Sequence, residues 1–243
     1  MLNQVFAVAG RVLRQLVHDR RFLALSLIVP VLLIYIMAVF FEAVDNPIFS
    51  ADDFIPPVGA FLVHFLTYVL SAIVLVRERT QQTMTRMFVS GYRRGSIIMG
   101  YVLAYTVLAT LQSLIVIIEL QVLFDLGFTT LRFFQMYLVI WMLAIISIAL
   151  GIFVSNFARN EGQVLPMMPL ILVPSIFFSG MIVAVDKMPA WVGWFSFLTP
   201  MYYANNVIGA IIADDTVTML LVWLLVYGAV VMSLAVLTLR EQN

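Results

Sequence analysis

The sequence predicts an all-α integral membrane protein, and three features of its composition indicate this fold class. Hydrophobic residues occupy 63% of the 243 positions and charged residues 11%, whereas soluble domains average about 45–50% and about 25%. The mean hydropathy of +1.07 is correspondingly high. The apolar runs are continuous and do not alternate with a period of two, which favours transmembrane helices over a β-barrel.

Six apolar stretches are long enough to cross the hydrocarbon core of a membrane, which requires roughly 20 residues in a helix. They are predicted as transmembrane helices within one membrane domain, residues 1–243, and they cover 22–41, 58–76, 97–124, 133–154, 164–184 and 217–239. The fifth stretch contains Pro166, Pro169 and Pro174. Because proline removes a helical hydrogen bond, we expect kinks there.

The placement of charged residues predicts the orientation of the chain in the membrane. All but two of the 13 basic residues precede the first stretch, lie in alternate loops or follow the last stretch, and the exceptions are Arg132 and Lys187. More than half of the acidic residues lie in the opposite loops. The positive-inside rule therefore predicts a multi-pass protein with both termini in the cytoplasm.

Residues 1–21 precede the first stretch and are predicted to form an amphipathic helix in the cytoplasmic interface. Apolar residues recur there at spacings of three and four from Leu2 to Val17, and Arg11 and Arg14 lie elsewhere on the helical wheel. Such a helix places its arginines near anionic lipid headgroups. A simple anchor that sets the topology accounts for the pattern equally well.

The loop between the second and third stretches, residues 77–96, is longer than a tight connection requires. It is predicted to contain a short amphipathic helix that ends near Gly91, since glycine commonly ends helices. One predicted face carries Arg79, Gln82 and Arg86, and another carries Met84, Met87 and Phe88. The apolar face is predicted either to dock onto a partner, because methionine adapts to irregular grooves, or to rest on the membrane surface.

Aromatic side chains form a stripe on the second stretch and a pair beside the kinks of the fifth. The stripe consists of Phe61, His64, Phe65 and Tyr68, and the pair consists of Phe177 and Phe178. Their spacing of three, four and seven residues places the members of the stripe on one helical face. Such stripes serve either as internal packing or as the wall of a substrate cavity, and the spacing alone is compatible with both.

Two polar residues lie within the third stretch, and they are spaced so that they share a helical face. Glu119 lies close to the predicted outer end, and Gln112 lies seven residues earlier. A charged residue in a membrane span is costly and therefore a candidate functional group. Glu119 is predicted to reach the outer interface or a polar contact, and a role in binding a coupling ion is the alternative.

The outer segment 185–216 is rich in aromatic residues but is divided by Pro189 and Pro200 into two pieces too short to span a membrane. We predict two short re-entrant helices before the last transmembrane helix, because protein contacts can satisfy backbone groups at membrane depth. An ordinary belt of interfacial aromatic residues is the alternative.

The residue inventory argues against several kinds of chemistry. The chain has no cysteine and two histidines, His18 and His64, so a thiolate or multi-histidine metal site is not expected. A phosphate-binding P-loop requires a lysine followed by serine or threonine, but the only lysine, Lys187, is followed by Met188. No catalytic, cofactor or metal site is therefore predicted within this chain.

Three portions of the sequence resemble one known family of transport proteins. The first is Arg20-Arg21, which leads into a span containing Pro30. The second is Arg77-Glu78-Arg79 followed by Thr83-Met84 and Gly100. The third is Phe177-Phe178-Ser179-Gly180, then Met188-Pro189-x-Trp191 and Thr199-Pro200-Met201-Tyr202-Tyr203-Ala204.

Together these portions resemble the permease subunit of type-2 ATP-binding-cassette (ABC-2) exporters, and in particular the small drug- and lipid-exporter branch. The sequence departs from the family pattern at three positions. Gln82 stands where glycine is usual, Gly91 where proline is frequent and Tyr101 where lysine is common.

The resemblance implies an exporter of the cell (inner) membrane that moves a hydrophobic or amphipathic, drug- or lipid-like substrate and is driven by separate ATPase subunits that bind ATP and Mg²⁺. This chain would pair with a second permease copy, identical or different, and would have no enzymatic site and no nucleic-acid partner of its own. The coupling contacts would come from Arg79, Arg86, Met87 and Phe88, and the substrate cavity from Phe61, Phe65, Tyr68, Phe177 and Phe178.

Two other functions remain compatible with the sequence. Polysaccharide or glycolipid export uses permeases that share this topology. An ATP-independent carrier or channel is the alternative from a different class. The aromatic, weakly charged spans favour a hydrophobic or amphipathic substrate over an ion or a bare sugar.

Overall fold

The computed structural model describes residues 2–43 and 51–239, with the side chains of residues 51–53 excepted. Within these ranges the chain forms ten α-helices, a short 3-10 turn at Val185–Lys187 and no strand. The helices are α1 Leu2–His18, α2 Arg20–Ala43, α3 Ala51–Thr80, α4 Thr83–Val89, α5 Arg94–Phe124, α6 Thr130–Ser155, α7 Glu161–Phe177, α8 Ala190–Ser196, α9 Pro200–Ile212 and α10 Thr218–Thr238.

Five helices of the described residues are long and apolar enough to cross a membrane, namely α2, α3, α5, α6 and α10. This confirms the all-helical, integral-membrane prediction. Met1 and residues 240–243 lie outside the described ranges. The cytoplasmic position of both termini therefore stays a prediction.

The fifth predicted span, residues 164–184, has a different structure from the one expected. Helix α7 has 17 residues, which is about 25 Å at 1.5 Å per residue, and it ends at Phe177. Hydropathy stays high beyond this point, but Gly180 has a left-handed φ of 81°, which is incompatible with continuing the helix. The six-span topology thus stays a prediction for this segment.

Helix α6 forms the centre of the bundle and packs against α3, α5, α9 and α10. In its apolar window 78% of the residues are buried within the chain, compared with 17% for α2 and for α10. At Gly151 the α6 backbone lies so close to α3 that a Cβ atom would overlap Ser71 Oγ and the Tyr68 carbonyl oxygen. Small residues permit such close packing, which is what holds helices together in lipid.

The N-terminal helix α1 packs against α5, so its apolar stripe contacts protein. Val8 and Val12 are buried, and Val8 lies directly over Gly100 of α5. A second apolar face of α1 stays exposed, with Leu2 and Phe6 at 71% and 62%. The amphipathic helix is therefore present. Its position at the membrane interface stays a prediction.

The outer segment contains two short helices between α7 and α10, as the proline positions suggest. Helix α8 has 7 residues and α9 has 13, so α9 is about 20 Å long. Helix α9 buries Val207 and Ile208 and packs against α6 and α10. Its re-entrant position in a bilayer stays a prediction.

We expect Gly100→Ala to destabilise the chain by about 1–3 kcal/mol, the usual cost of overpacking a tight contact. The added Cβ would lie 2.7 Å from Val8 Cγ1 and 3.0 Å from the Val5 carbonyl oxygen. Unfolding of the detergent-solubilised chain by a denaturing detergent, followed by circular dichroism, measures the difference.

Gly10→Ala is the matched control for this experiment. It changes the same residue type in the partner helix, and nothing lies within 4 Å of its Cβ position. Helix propensity should make this change neutral or stabilising, by up to about 1 kcal/mol. Equal destabilisation by both changes would contradict the assigned packing.

Candidate functional site

The short helix α4 lies between α3 and α5, where the sequence predicts a coupling helix. It has 7 residues and begins after Gln82, whose φ of 58° is left-handed. It is closed by Gly91, which has φ 78° and donates its N–H to the Phe88 carbonyl oxygen at 2.9 Å. Two left-handed residues thus turn the chain sharply on either side of α4.

The apolar side of α4 faces the chain itself. Met84 is 2% exposed, and Met87 and Phe88 are half-buried against the core. The outward side carries Arg86, which is exposed, and Val89, which is 86% exposed. Contact of Arg86, Met87 and Phe88 with an ATPase stays a prediction. Of the residues on α4, Arg86 and Val89 are exposed and therefore accessible to a partner protein.

A groove of about 240 Å³ separates α4 from α1. Arg11, Arg86, Met87 and Tyr92 are among its lining residues. Gln4 of α1 is hydrogen-bonded to the turn that follows α4. Its Nε2 donates to the Gly91 carbonyl oxygen at 3.2 Å, and its Oε1 accepts from the Arg93 backbone N–H at 3.4 Å.

A buried ion pair joins α1 to the end of α3. Glu78 is 2% exposed, and its carboxylate accepts from Arg11 at 3.2 Å. Arg11 also donates to the hydroxyl of Tyr101 on α5, which is completely buried. Because a buried charge without a partner is strongly destabilising, these three side chains bind three helices into one unit. We call α1, α4, the end of α3 and the start of α5 the N-terminal unit.

Sequence reasoning did not find this ion pair. Arg11 and Glu78 are 67 positions apart. The amphipathic pattern of residues 1–21 predicts instead that Arg11 lies near the lipid headgroups. The one available signal was Glu78 itself, an acidic residue between Arg77 and Arg79 in a segment otherwise rich in basic residues.

The side chain of Arg79 points into the bundle. It donates to Ser155 Oγ at 2.5 Å and to Asn156 Oδ1 at 3.1 Å, at the end of α6. The neighbouring Arg77 forms a half-exposed ion pair with Glu161 of α7 at 3.1 Å. The coupling role of Arg79 stays a prediction, and in this structure its contacts are with α6.

The aromatic stripe of α3 is divided between core and surface. Tyr68 and His64 are completely buried, whereas Phe61 and Phe65 are half-buried, with near-parallel rings whose centroids lie 6.4 Å apart.

His64 connects three helices through hydrogen bonds to two serine hydroxyls. Its Nδ1 lies 2.7 Å from Ser147 Oγ of α6, and its Nε2 lies 3.3 Å from Ser175 Oγ of α7. The histidine within the stripe is therefore part of the packing of α7 against the bundle.

The two phenylalanines at the end of α7 have different surroundings. Phe177 is 53% exposed. Phe178 packs against Trp191 and Phe195 of α8, with ring centroids at 6.1 and 6.0 Å, and lines a cavity of about 210 Å³ together with Ser175. Of the five predicted cavity residues, Tyr68 is buried, Phe177 is exposed and the other three are half-buried. A cavity shared by all five stays a prediction.

The polar residues of α5 have opposite environments. Gln112 is 1% exposed, donates to the Ser26 carbonyl oxygen of α2 at 2.8 Å and accepts from Thr67 of α3 at 3.4 Å. Glu119 is half-buried, and its buried Oε2 has no hydrogen-bond partner among the described residues. Gln112 is therefore structural, and the role of Glu119 stays a prediction.

No group of three or more histidine and acidic side chains within the described ranges is close enough to hold a metal ion. The described polar clusters consist of ion pairs, hydroxyls and amides that bind one helix to another. The arrangement is suited to transmitting displacement between helices.

Comparisons with known proteins match most of the chain. The family model described as ABC-2 type transporter matches residues 3–213. ABC transporter G family member 20 of Dictyostelium discoideum is 24% identical over 162 residues, which are 66% of this chain and 22% of that protein. The probable multidrug ABC transporter permease YbhR of Escherichia coli (strain K12) is 23% identical over 162 residues, 66% of this chain and 44% of its own length. The matched region thus covers less than half of either relative.

We expect Glu78→Gln and Arg11→Gln each to destabilise the chain by about 2–3 kcal/mol, because each leaves its partner unpaired. The value lies below that for a fully buried pair because Arg11 is 34% exposed. The double variant should cost less than the sum of the two changes, and a double-mutant cycle on unfolding free energies measures the difference.

Arg14→Gln is the matched control for the ion pair. Arg14 lies one turn further along α1 and is exposed, and its side chain donates to the Gly10 carbonyl oxygen of its own helix. Its loss should change stability by less than about 0.5 kcal/mol. Additive effects of the two ion-pair variants would refute the coupling.

Proposed function

This chain belongs to the ABC-2 type transporter family, and on that premise we propose that it is the membrane-spanning permease subunit of an ATP-driven exporter. The substrate is a hydrophobic or amphipathic molecule taken from the cytoplasm or the inner leaflet. Separate ATPase subunits, which bind ATP and Mg²⁺, supply the energy.

The observation that carries this proposal is the construction of the N-terminal unit. A permease that is driven by a separate ATPase subunit needs a surface that contacts this ATPase and a rigid connection from that surface to the membrane helices. Helix α4 offers Arg86 and Val89 outward, while Met84 is buried beneath them. The Arg11–Glu78 ion pair binds the helices on which α4 rests.

The same contacts suggest how a push on α4 would reach the membrane helices. Helix α4 is joined to α3 and α5 by short turns at Gln82 and Gly91. From α3 the displacement would pass through Arg79 to Asn156 at the end of α6. A conformational change requires a ligand that binds the two states differently, and on this proposal ATP in the partner fills that role.

We further propose that the substrate cavity lies between two permease copies. Helices α3 and α7 pack against each other, and the free side of α7 exposes Leu170 at 72%, Val173 at 48% and Phe177 at 53%. A second copy against this side would bring Phe61, Phe65 and Phe177 to a shared interface. The fifth predicted span would consist of α7 and the segment that follows it, which would give six spans in total.

The name of one relative, a probable multidrug ABC transporter permease, suggests the class of substrate. The apolar surface of α7 and the aromatic rings of α3 would favour the same class of molecule. A polysaccharide would need many hydrogen-bond partners, and the buried polar groups Gln112 and His64 are already bonded within the chain. We therefore favour an amphipathic substrate over a sugar polymer.

ATP-dependent transport in vesicles tests the proposal directly. Vesicles containing this chain and a co-purified ATPase subunit should accumulate a hydrophobic fluorescent dye when ATP is supplied. Vesicles with the chain alone should not. Accumulation by the chain alone would instead identify an ATP-independent carrier, and failure of any ATPase to co-purify would count against the coupling role.

The outward side of α4 provides a sharper test. We expect Arg86→Glu combined with Val89→Asp to reduce ATP-driven transport at least tenfold, because the two changes place negative charges on the surface that is proposed to contact the ATPase. Both side chains are exposed, so replacing them leaves the core intact. Membrane insertion and the unfolding midpoint should stay unchanged. Arg14→Glu, a charge reversal on the neighbouring helix α1, is the matched control. Normal transport by the double variant would refute docking at this surface.

A further inference from the structure

An aromatic pocket of about 250 Å³ lies between α9, the residues just before it and the first turns of α10. We define the aromatic pocket by its lining residues, which are Phe197, Tyr202, Tyr203, Asn206, Leu220 and Trp223. By the positive-inside orientation, this pocket lies on the outer side of the membrane.

The rings of the pocket are held at steep angles to one another. Tyr202 packs against Phe197 and against Tyr203, in both cases with ring centroids 5.4 Å apart and planes at 79°. Trp223 contributes a fourth ring from α10. Because neighbouring rings are nearly perpendicular, a group in the pocket meets aromatic surface on more than one side.

Hydrogen bonds within the chain fix the ring of Tyr203 and the ring of Tyr227 on which it packs. The Tyr203 hydroxyl donates to the Phe197 carbonyl oxygen at 3.1 Å. Its ring packs on Tyr227, with centroids 5.2 Å apart, and the Tyr227 hydroxyl donates to the Leu198 carbonyl oxygen at 2.7 Å. A preformed wall lowers the ordering cost of binding.

The polarity of the lining selects one class of cation. Aromatic faces attract cations electrostatically, but none of the six lining residues is acidic. A primary ammonium carries three N–H donors that all need acceptors when buried, and the polar side-chain groups of this mostly aromatic lining are the Asn206 amide and the hydroxyls of Tyr202 and Tyr203. A quaternary ammonium has no N–H group, so its charge can be stabilised by ring faces alone.

The charges around the pocket also favour a cation. The loop that joins α9 to α10 carries Asp214 and Asp215, both exposed. Asp214 pairs with Arg132 at 3.2 Å, whereas Asp215 has no ion pair within the described part of the chain. An unpaired carboxylate on the loop that joins the two helices of the pocket raises the local concentration of cations.

We propose that the aromatic pocket binds the quaternary ammonium group of an amphiphilic cation, whose apolar tail lies along α10 beside Trp223. Only the role of the pocket in transport rests on the proposed function, and for that role this inference names the class of substrate. The binding itself requires neither ATP nor a partner, so the two proposals fail separately.

Calorimetric titration of the chain in nanodiscs of phosphatidylethanolamine and phosphatidylglycerol tests the binding, with empty nanodiscs as the blank for partitioning. The probes are hexyltrimethylammonium and hexylammonium, which share a tail and a charge but differ in N–H groups. We expect the quaternary probe to bind at least tenfold more tightly. Equal affinities would overturn the proposal.

A second pair of probes tests the charge. Choline and 3,3-dimethylbutan-1-ol have the same shape, and a carbon atom replaces the charged nitrogen in the alcohol. Choline should bind and the alcohol should bind at least tenfold more weakly. Equal binding would mean that the pocket recognises shape and apolar surface only, which would overturn the assignment.

Variants locate the site within the chain. Trp223→Leu should weaken binding of hexyltrimethylammonium about tenfold, whereas Trp223→Phe should retain most of it. Trp194→Leu is the matched control, since Trp194 is 81% exposed on α8 and outside the pocket. Tyr202→Leu serves as a second variant where Trp223→Leu folds poorly. Unchanged binding in the folded pocket variants would refute the site.

The source of the quaternary group is decided by adding phosphatidylcholine to the nanodiscs. Weaker binding of hexyltrimethylammonium would mean that the choline headgroup of a lipid occupies the pocket, and unchanged binding would mean that the site takes a free cation. Both results support the same chemistry. Loss of ATP-driven transport with binding intact would overturn the proposed function and leave this site standing.

Discussion

The buried ion pair between Arg11 and Glu78 is the interaction on which the N-terminal unit depends. A carboxylate that is 2% exposed is tolerated because a guanidinium and a phenol hydroxyl surround it. Since these groups come from α1, α3 and α5, none of the three helices can move at this end without breaking a charged contact. Helix α4 is thereby held against a stiff support.

Between the membrane helices, individual polar side chains also join neighbouring helices, here through hydrogen bonds and not through an ion pair. His64 joins α3 to α6 and α7, and Gln112 joins α5 to α2 and α3. Apolar contact between helices is weakly directional because lipid tails are equally apolar. The hydrogen bonds at His64 and Gln112 therefore specify which helices are neighbours.

Hydropathy predicts the membrane helices because bilayer thickness sets their length. It failed to predict the end of α7, because Gly180 interrupts the helix through its φ angle without lowering hydropathy. Helix α4 was also predictable from its loop, but its 7 residues are too few for periodicity to show that Met84 faces inward. The Arg11–Glu78 pair and the perpendicular rings of the aromatic pocket depend on contacts between distant segments, which no local pattern encodes.

Asn156 has a consequence for how this protein can be studied. Its amide accepts from Arg79 and donates to Thr238 Oγ1 at 2.8 Å and to the Ala235 carbonyl oxygen at 3.3 Å. The final turn of the last helix is thus tethered to the segment that leads into α4. A spin label or fluorophore attached at Leu237, which is 74% exposed in that final turn, would therefore report displacements of the end of α3 and of α6, to which the turn is joined through Asn156.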